Sequence, residues 1–176
     1  MKLTELKKKI KALDGVLKNS KNYRKAWDSN LKDFIYKTLE EINKKTKLKA
    51  DIQYSEQIHG MEAISFGLGF DESGMFEIMT NKVKKPLIRM NGMLIFQQLF
   101  NGKISIFINF PYIDGVGDPK NPEMFEIVRP HELTEDKIVA YIERFIEKVT
   151  AWEDYDDDVP PKTTGIGFNH QAASLS

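Results

Sequence analysis

The stretch IRMNGMLIFQQLFNGKISIFINF, residues 88–110, decides the fold of this chain. Its two apolar runs have the alternating character of β-strands, and it contains the pairs Asn91–Gly92 and Asn101–Gly102. Asn-Gly favours a two-residue type I′ turn, in which both central residues need a positive φ. We therefore predict an antiparallel meander of three strands, at about residues 86–90, 93–100 and 103–110.

The two predicted turns set a register that separates the side chains into two faces. A turn at Asn101–Gly102 pairs Ile95 with Ile108, and the face that they share is apolar. The opposite face mixes polar and apolar side chains, although a sheet with one solvated face normally carries few apolar residues there. We interpret this mixed face as exposed, or as covered by a partner. Its candidate protein-interface residues are Leu94, Phe96, Phe107 and Arg89.

Helical periodicity flanks the predicted sheet on both sides. Five apolar residues recur at three- and four-residue steps near the N-terminus, and Gly15 and Asn19–Ser20 are expected to end that helix. A second helix, with Trp27 on its buried side, is expected to reach about residue 47. Thr134 is a suitable N-cap for a third, long helix. The first apolar stripe consists of Leu3, Leu6, Ile10, Leu13 and Leu17.

These elements predict an α+β fold, because helices and antiparallel strands occupy separate stretches of the chain. The expected order is two N-terminal helices, an antiparallel meander sheet of about five to six strands, one long C-terminal helix and a tail. Further strands are expected at about residues 62–70, 75–79 and 124–129. We expect a single α+β domain over residues 1–158 and a C-terminal tail over residues 159–176.

Composition limits the chemistry and the location of the protein. The chain contains no cysteine, which excludes disulfides, thiolate nucleophiles and cysteine-ligated zinc. No run approaches the ~18 apolar residues of a membrane span, and the N-terminal sequence lacks the apolar region of a signal peptide. We therefore expect a cytoplasmic protein without membrane insertion.

Charge is distributed unevenly, although the formal net charge is zero. Residues 1–50 carry a net charge of +9, and residues 131–176 carry a net charge of −6. Such asymmetry can indicate a basic arm that binds nucleic acid, or two ends that lie side by side and neutralise each other. The sequence pI of about 6.8 is far below the value typical of a nucleic-acid-binding domain, which disfavours the first interpretation.

The acidic stretch WEDYDDDVPP, residues 152–161, does not fit a calcium-binding loop. With Asp154 at the first position of an EF-hand, the position that requires glycine holds Val159, and the position that requires a bidentate glutamate holds Gly165. The three histidines lie too far apart in sequence for a zinc helix motif. No metal and no cofactor are therefore predicted.

Motifs for nucleophilic catalysis and phosphate binding are also absent from the sequence. No serine stands in a G-x-S-x-G elbow, and no glycine-rich stretch completes a dinucleotide-binding or P-loop pattern. The longest irregular loop, residues 111–123, is an alternative site, because loops carry function more often than cores do. Its candidate binding residues are Tyr112, Asp114 and Asp118, with His131 as a fourth group after the last strand.

The sequence therefore predicts a non-enzymatic protein-interaction module or a subunit of a larger assembly, with no catalytic residue. We expect it to bind a protein partner, or itself, through the half-apolar sheet face and the charged ends. One alternative is a small-ligand-binding protein or enzyme that uses the 112–118 loop. A second alternative is nucleic-acid binding through the basic N-terminal helices, which would depend steeply on salt.

Overall fold

The computed structural model describes residues 3–56, 58, 60–80 and 82–151. Within these ranges, the N-terminal helical run consists of α1 (Thr4–Ala26), a π-helical turn (Trp27–Leu31) and α2 (Lys32–Thr46). The C-terminal helix α3 (Glu135–Thr150) follows a short 3-10 helix (Pro130–Glu132). The strands are β1 (Asp51–Ser55), β2 (Ala63–Gly67), β3 (Phe70–Ile78), β4 (Lys84–Met90), β5 (Met93–Gln98), β6 (Ile104–Asn109), β7 (Tyr112–Ile113) and β8 (Glu123–Val128).

The strands form two antiparallel sheets, and the helices pack on the larger one. The five-stranded sheet has the order β1-β2-β5-β6-β8, and the three-stranded sheet has the order β3-β4-β7. α2 and α3 cover one face of the five-stranded sheet, and their buried side chains join those of β2, β5 and β6 in one core. The predicted α+β class with an antiparallel sheet is confirmed.

α1 and α2 belong to one continuous helical run, so the predicted break at Gly15 and Asn19–Ser20 is wrong. A glycine inside a helix costs only about 1 kcal/mol relative to alanine, which is too little to end a helix of this length. The irregularity lies instead at the π-helical turn, a rare feature that changes the phase of the helix. Both Trp27 and Leu31 are buried there.

A buried polar contact fixes the π-helical turn to the sheet. The indole nitrogen Nε1 of Trp27 donates a hydrogen bond to Oε2 of Glu62, and both side chains are buried. The backbone O of Glu62 accepts a hydrogen bond of 2.8 Å from the backbone N of Gln98. Because buried polar groups need partners, this contact determines which side of the helical run faces the core.

The connection between β5 and β6 has three residues rather than two. Leu99 N donates to Lys103 O at 2.8 Å, and Gly102 N donates to Leu99 O at 2.7 Å. Gly102 has a φ of 77°, as in a three-residue loop that ends in a left-handed residue. The register is therefore shifted by one residue from the prediction, and Phe96 pairs with Ile106. A shift of one residue exchanges the two faces of a strand.

Asn91–Gly92 forms a corner in the sheet, and the predicted hairpin there is wrong. Leu68 N donates to Gly92 O, and Asn91 N donates to Gly69 O, each at 3.1 Å. The paired strands β2 and β5 therefore continue through the corner into β3 and β4. Gly92 has a φ of 100°, and a Cβ there would lie 2.9 Å from Cγ2 of Val149. The end of α3 packs tightly against this corner.

β3 includes residues that the sequence assigned to a turn and to a separate strand. It extends from Phe70 to Ile78, with an irregularity in its pairing with β4 between Glu72 and Phe76. Gly74 lies inside this irregularity with a φ of 78°. Glycine thus supplies a bulge here, which explains why turn-forming residues occur within one strand.

α3 begins where the sequence predicts. Oγ1 of Thr134 accepts a hydrogen bond of 3.4 Å from the backbone N of Lys137, which caps the helix. The buried side of α3 consists of Ile138, Tyr141, Ile142 and Phe145. The acidic stretch at residues 152–161 and the expected tail at residues 159–176 lie outside the described residues.

Candidate interaction surfaces

The structure places two of the four predicted interface residues in the core. Leu94 and Phe96 are both 0% exposed, because the register shift turns them towards the helices. The ring of Phe96 meets the ring of Tyr141 edge-on, with centroids 6.2 Å apart. The prediction that Leu94 and Phe96 lie on an exposed face is therefore wrong.

The open sheet face is the side of the five-stranded sheet that the helices leave uncovered. Phe107 lies on it, paired with Ile95 on one side and with Met124 on the other. A shallow cavity of about 330 Å³ covers part of this face. The main apolar residues of the open sheet face are half-buried or exposed: Met93, Ile95, Phe107, Met124 and Ile127. The expected half-apolar face thus exists, with a different set of side chains.

Arg89 lies on the smaller sheet, away from Phe107. Its Nε donates a hydrogen bond of 2.8 Å to Oδ1 of Asn91, and Nη2 lies 3.5 Å from Oδ2 of Asp71. Asn91 also donates to Oδ2 of Asp71 at 2.6 Å. These contacts give Arg89 a structural role at the corner, and its role in an interface stays a prediction.

The residues predicted for a loop site lie at two ends of the larger sheet. Asp114 N donates to Ile88 O at 2.9 Å, next to the corner, and Asp118 belongs to the same exposed loop. His131 follows β8 at the opposite end of β6, where the ring centroids of His131 and Tyr23 are 6.5 Å apart. At about 3.3 Å per residue, the six residues of β6 separate these groups by roughly 20 Å. His131 therefore does not lie beside the loop carboxylates.

A cavity of about 440 Å³ lies beside the π-helical turn and includes His131. Among the described residues that line it, Tyr23 and His131 are titratable and the others are apolar or carry amides. The cavity has space for a small ligand. That described lining includes no serine, threonine or lysine nucleophile beside a general base. Tyr112 of the predicted loop site lies elsewhere, in β7 of the smaller sheet.

A continuous exposed apolar surface on one helix is the α1 stripe, which we define as Leu3, Leu6, Ile10, Leu13 and Leu17. These side chains are 41–56% exposed. All residues from 3 to 19 are exposed, and α1 contains no buried residue. The sequence shows the stripe clearly, and its simplest interpretation, packing on the second helix or on a shared sheet, is wrong. The apolar spacing extends towards the N-terminus beyond the part of the helical run that packs on the sheet. The length of the stripe was the signal that could have indicated its exposure.

Two ionisable groups with shifted pKa values, Glu126 and Tyr141, attach β8 to α3. The Tyr141 hydroxyl donates to Oε2 of Glu126 at 2.5 Å, and Nζ of Lys137 lies 3.3 Å from Oε1 of Glu126. These contacts hold the pKa of the Glu126 carboxyl below its usual value. Burial and the same hydrogen bond raise the pKa of Tyr141. The pair is satisfied within the fold.

Among the described residues, no group of three or more histidine, aspartate or glutamate side chains is arranged to hold a metal ion. In the same part of the chain, no helix is long and apolar enough to cross a membrane. Comparison with protein families, with curated proteins and with solved structures gives no match for this chain. A functional proposal must therefore come from the geometry described above.

Proposed function

We propose that this protein is a non-enzymatic interaction module, a subunit of a larger assembly, that binds another polypeptide through the α1 stripe. The observation that carries the proposal is the exposure of five large aliphatic side chains along one side of a projecting helix. Contiguous exposed apolar patches of this kind mark interaction sites.

The projecting half of α1, which we define as the fully exposed residues 3–19, supports this function by its energetics. Burying a Leu or Ile side chain fully is worth about 1.5–3 kcal/mol, and the α1 stripe leaves about half of each side chain in water. Most of the stability of a helix in a protein comes from packing of its apolar side, and the α1 stripe lacks such packing in the single chain. A partner that covers the stripe would gain apolar contact and would also stabilise the helix.

The open sheet face supports the same function as a second surface. Met124 and Ile127 are exposed on β8, and Ile95 and Phe107 are half-buried beside them. This face is shallow and mixed in polarity, so it offers less apolar area per residue than the α1 stripe. It is a second contact region of the proposed module.

The experiment is affinity capture of the full-length chain from native lysate, with and without nuclease. Ile10→Asp places a charge on the α1 stripe, and Ala12→Asp places the same charge on the exposed opposite side as a matched control. We expect a stoichiometric protein that wild type and Ala12→Asp retain and that Ile10→Asp loses. Equal capture by all three chains would contradict the proposal.

Capture in the presence of nuclease distinguishes protein binding from the nucleic-acid alternative. α1 carries exposed lysines around the stripe, including Lys8, Lys11 and Lys18. Phosphate contacts by such residues would give binding that falls steeply with salt and that depends little on Ile10. Recovery that nuclease abolishes would therefore replace the proposed function with nucleic-acid binding.

A further inference from the structure

The spacing of the α1 stripe is that of a coiled-coil helix. Its members follow one another at steps of three, four, three and four residues, an average period of 3.5. A helix with this period presents a continuous seam to another helix that winds around it. Leu3, Ile10 and Leu17 take the a positions of the heptad, and Leu6 and Leu13 take the d positions. This spacing favours a helix as the occupant of the seam.

The body of the protein decides how that helix can run. The tip of the β5–β6 hairpin packs against α1 where the stripe ends: a Cβ on Gly102 would lie 2.7 Å from Cβ of Tyr23 and 3.0 Å from O of Ser20. Leu13, Ser20 and Trp27 follow one another at intervals of seven residues, and each interval changes the direction of the side chain by only about 20°. The stripe therefore lies on nearly the same side of the helical run as the buried Trp27. A parallel partner would run into the hairpin tip, whereas an antiparallel partner ends there.

An antiparallel second copy of α1 can cover the whole stripe and end at the tip of the β5–β6 hairpin. Antiparallel coiled coils pair a with d positions, and the only alignment that uses all five apolar residues is centred between residues 11 and 12. The overlap of residues 3–20 is about 27 Å long at 1.5 Å per residue. Phe100, which is exposed at the hairpin tip, lies where the N-terminus of the second helix arrives. The paired layers are Leu3 with Ser20, Leu6 with Leu17, and Ile10 with Leu13, each occurring twice.

The charges beside the seam match the same alignment. Antiparallel helices bring their e positions together, and these are Lys7 and Asp14 in this register. Each Lys7 therefore faces Asp14 of the second copy, which gives two opposite-charge pairs. Both residues are exposed in the single chain. The g positions bring Lys9 to Val16, a contact without charge repulsion. Lys8, Lys11 and Lys18 take f and b positions, which point away from the seam.

We infer that two copies of this protein associate through an antiparallel two-helix contact between their α1 stripes, centred between residues 11 and 12. This inference rests on the proposed function and names the partner as a second copy of the chain. The contact is isologous, because the same surface serves both copies, and it closes as a dimer. In this arrangement the sheets with α2 and α3 of each copy lie at opposite ends of the helix pair. The open sheet faces therefore take no part in the contact.

The first measurement is sedimentation velocity of the full chain over a range of concentrations. We expect a reversible monomer–dimer equilibrium. A charge buried in a seam needs compensation, so Ile10→Asp should weaken the dimer at least about tenfold, whereas Ala12→Asp should change it little. Thermal denaturation should show that both variants keep a folded body, because neither residue contacts it. A wild-type chain that stays monomeric throughout would overturn the inference.

Charge exchange tests the direction of the helices. Lys7→Asp or Asp14→Lys should each weaken the dimer several-fold, because like charges then face each other, and the double variant should restore it. In a parallel pair, g and e positions meet, so Lys9 would face Asp14 of the second copy. Lys9→Asp would then be the harmful change and Lys7→Asp would not, an outcome that would overturn the antiparallel arrangement.

Crosslinking gives a geometric readout, because the chain has no native cysteine. Ile10→Cys mixed with Leu13→Cys should form a mixed disulfide between copies faster than either variant crosslinks with itself. Faster self-crosslinking of Ile10→Cys would indicate a parallel pair and would contradict the inference. Failure of the inference is distinct from failure of the proposed function: a monomeric chain whose capture of another protein is lost in Ile10→Asp keeps the function and excludes the second copy.

Discussion

The helical run contains two halves with similar apolar spacing and opposite surroundings. In α1 the whole stripe is exposed, whereas Trp27, Leu31, Ile35 and Leu39 beyond it are buried. The α1 stripe advances by alternating steps of three and four residues, and the four buried residues advance by steps of four. The comparison teaches that periodicity identifies a helix with a contact side, while the occupant of that side depends on what the rest of the fold brings there.

The first prediction, with the greatest change in stability, compares the truncation of one side chain in each half. Trp27→Ala should destabilise the protein by about 3–5 kcal/mol, the usual cost for a buried Trp, and it removes the indole donor from the buried Glu62 carboxylate. Leu13→Ala should change the free energy of unfolding of the monomer by less than about 0.5 kcal/mol. Urea denaturation at low protein concentration measures both. Comparable losses would mean that α1 packs on the body.

The second prediction applies the same comparison to the two sheet faces. Phe96→Ala should cost about 3–5 kcal/mol, because Phe96 is fully buried beside Tyr141. Phe107→Ala should cost less, because its ring lies half-buried on the open sheet face. Denaturant titrations of the two variants report this order. The reverse order would restore the register that the sequence alone suggested.

The third prediction concerns the projecting half by itself. Gly15 lies inside α1, and a Cβ there would meet nothing within 4 Å. Gly15→Ala should therefore stabilise the helix by up to about 1 kcal/mol and increase the helical circular dichroism signal. The unfolding midpoint of the body should stay the same. A drop in helicity would show that Gly15 is needed for a bend or a close contact.

The smallest effect should come from acid. The Tyr141 hydroxyl lowers the pKa of Glu126 below the ordinary value of 4.5. Such a carboxyl contributes stability that is complete above its unfolded pKa and is lost as the pH falls through the lower folded pKa. Between pH 5 and pH 3, as an approximate window, Glu126→Gln should lose less stability than wild type.

A control for the acid prediction lies in the projecting half. Glu5 pairs with Lys8 at 3.0 Å, and both side chains are largely exposed. Exposed pairs contribute little to stability, so Glu5→Gln should leave the acid limb of the stability curve as it is in wild type. An equal change in both variants would assign the acid effect to general charge rather than to the contact between β8 and α3.

The sequence predicted those elements whose signal is local. The hydroxyl of Thr134 and the amide of Lys137 are three residues apart, so the N-cap of α3 could be identified without the fold. The burial of Trp27 followed from its place on an amphipathic helix. The α+β class followed from the change of apolar period along the chain, which needs no knowledge of contacts.

The candidate site could be predicted only in part, because the sheet pattern is ambiguous at its centre. Residues 93–96 are all apolar, so alternation does not show which pair faces the helices. Two- and three-residue loops at Asn101–Gly102 differ by one residue, and that residue decides whether Phe96 or Ile95 is buried. A half-apolar second face was therefore expected correctly, but with the wrong members.

By itself, the sequence determined the fold class, the start of α3 and the existence of apolar stripes, because side-chain period and capping act over a few residues. The tertiary structure decided the strand register, the corner at Gly92 and the exposure of the α1 stripe. Each of these depends on contacts between residues far apart in the chain, such as Gly102 with Tyr23 and Gly92 with Val149. Local propensity carries no information about such contacts, since their energy arises only when the packed elements meet.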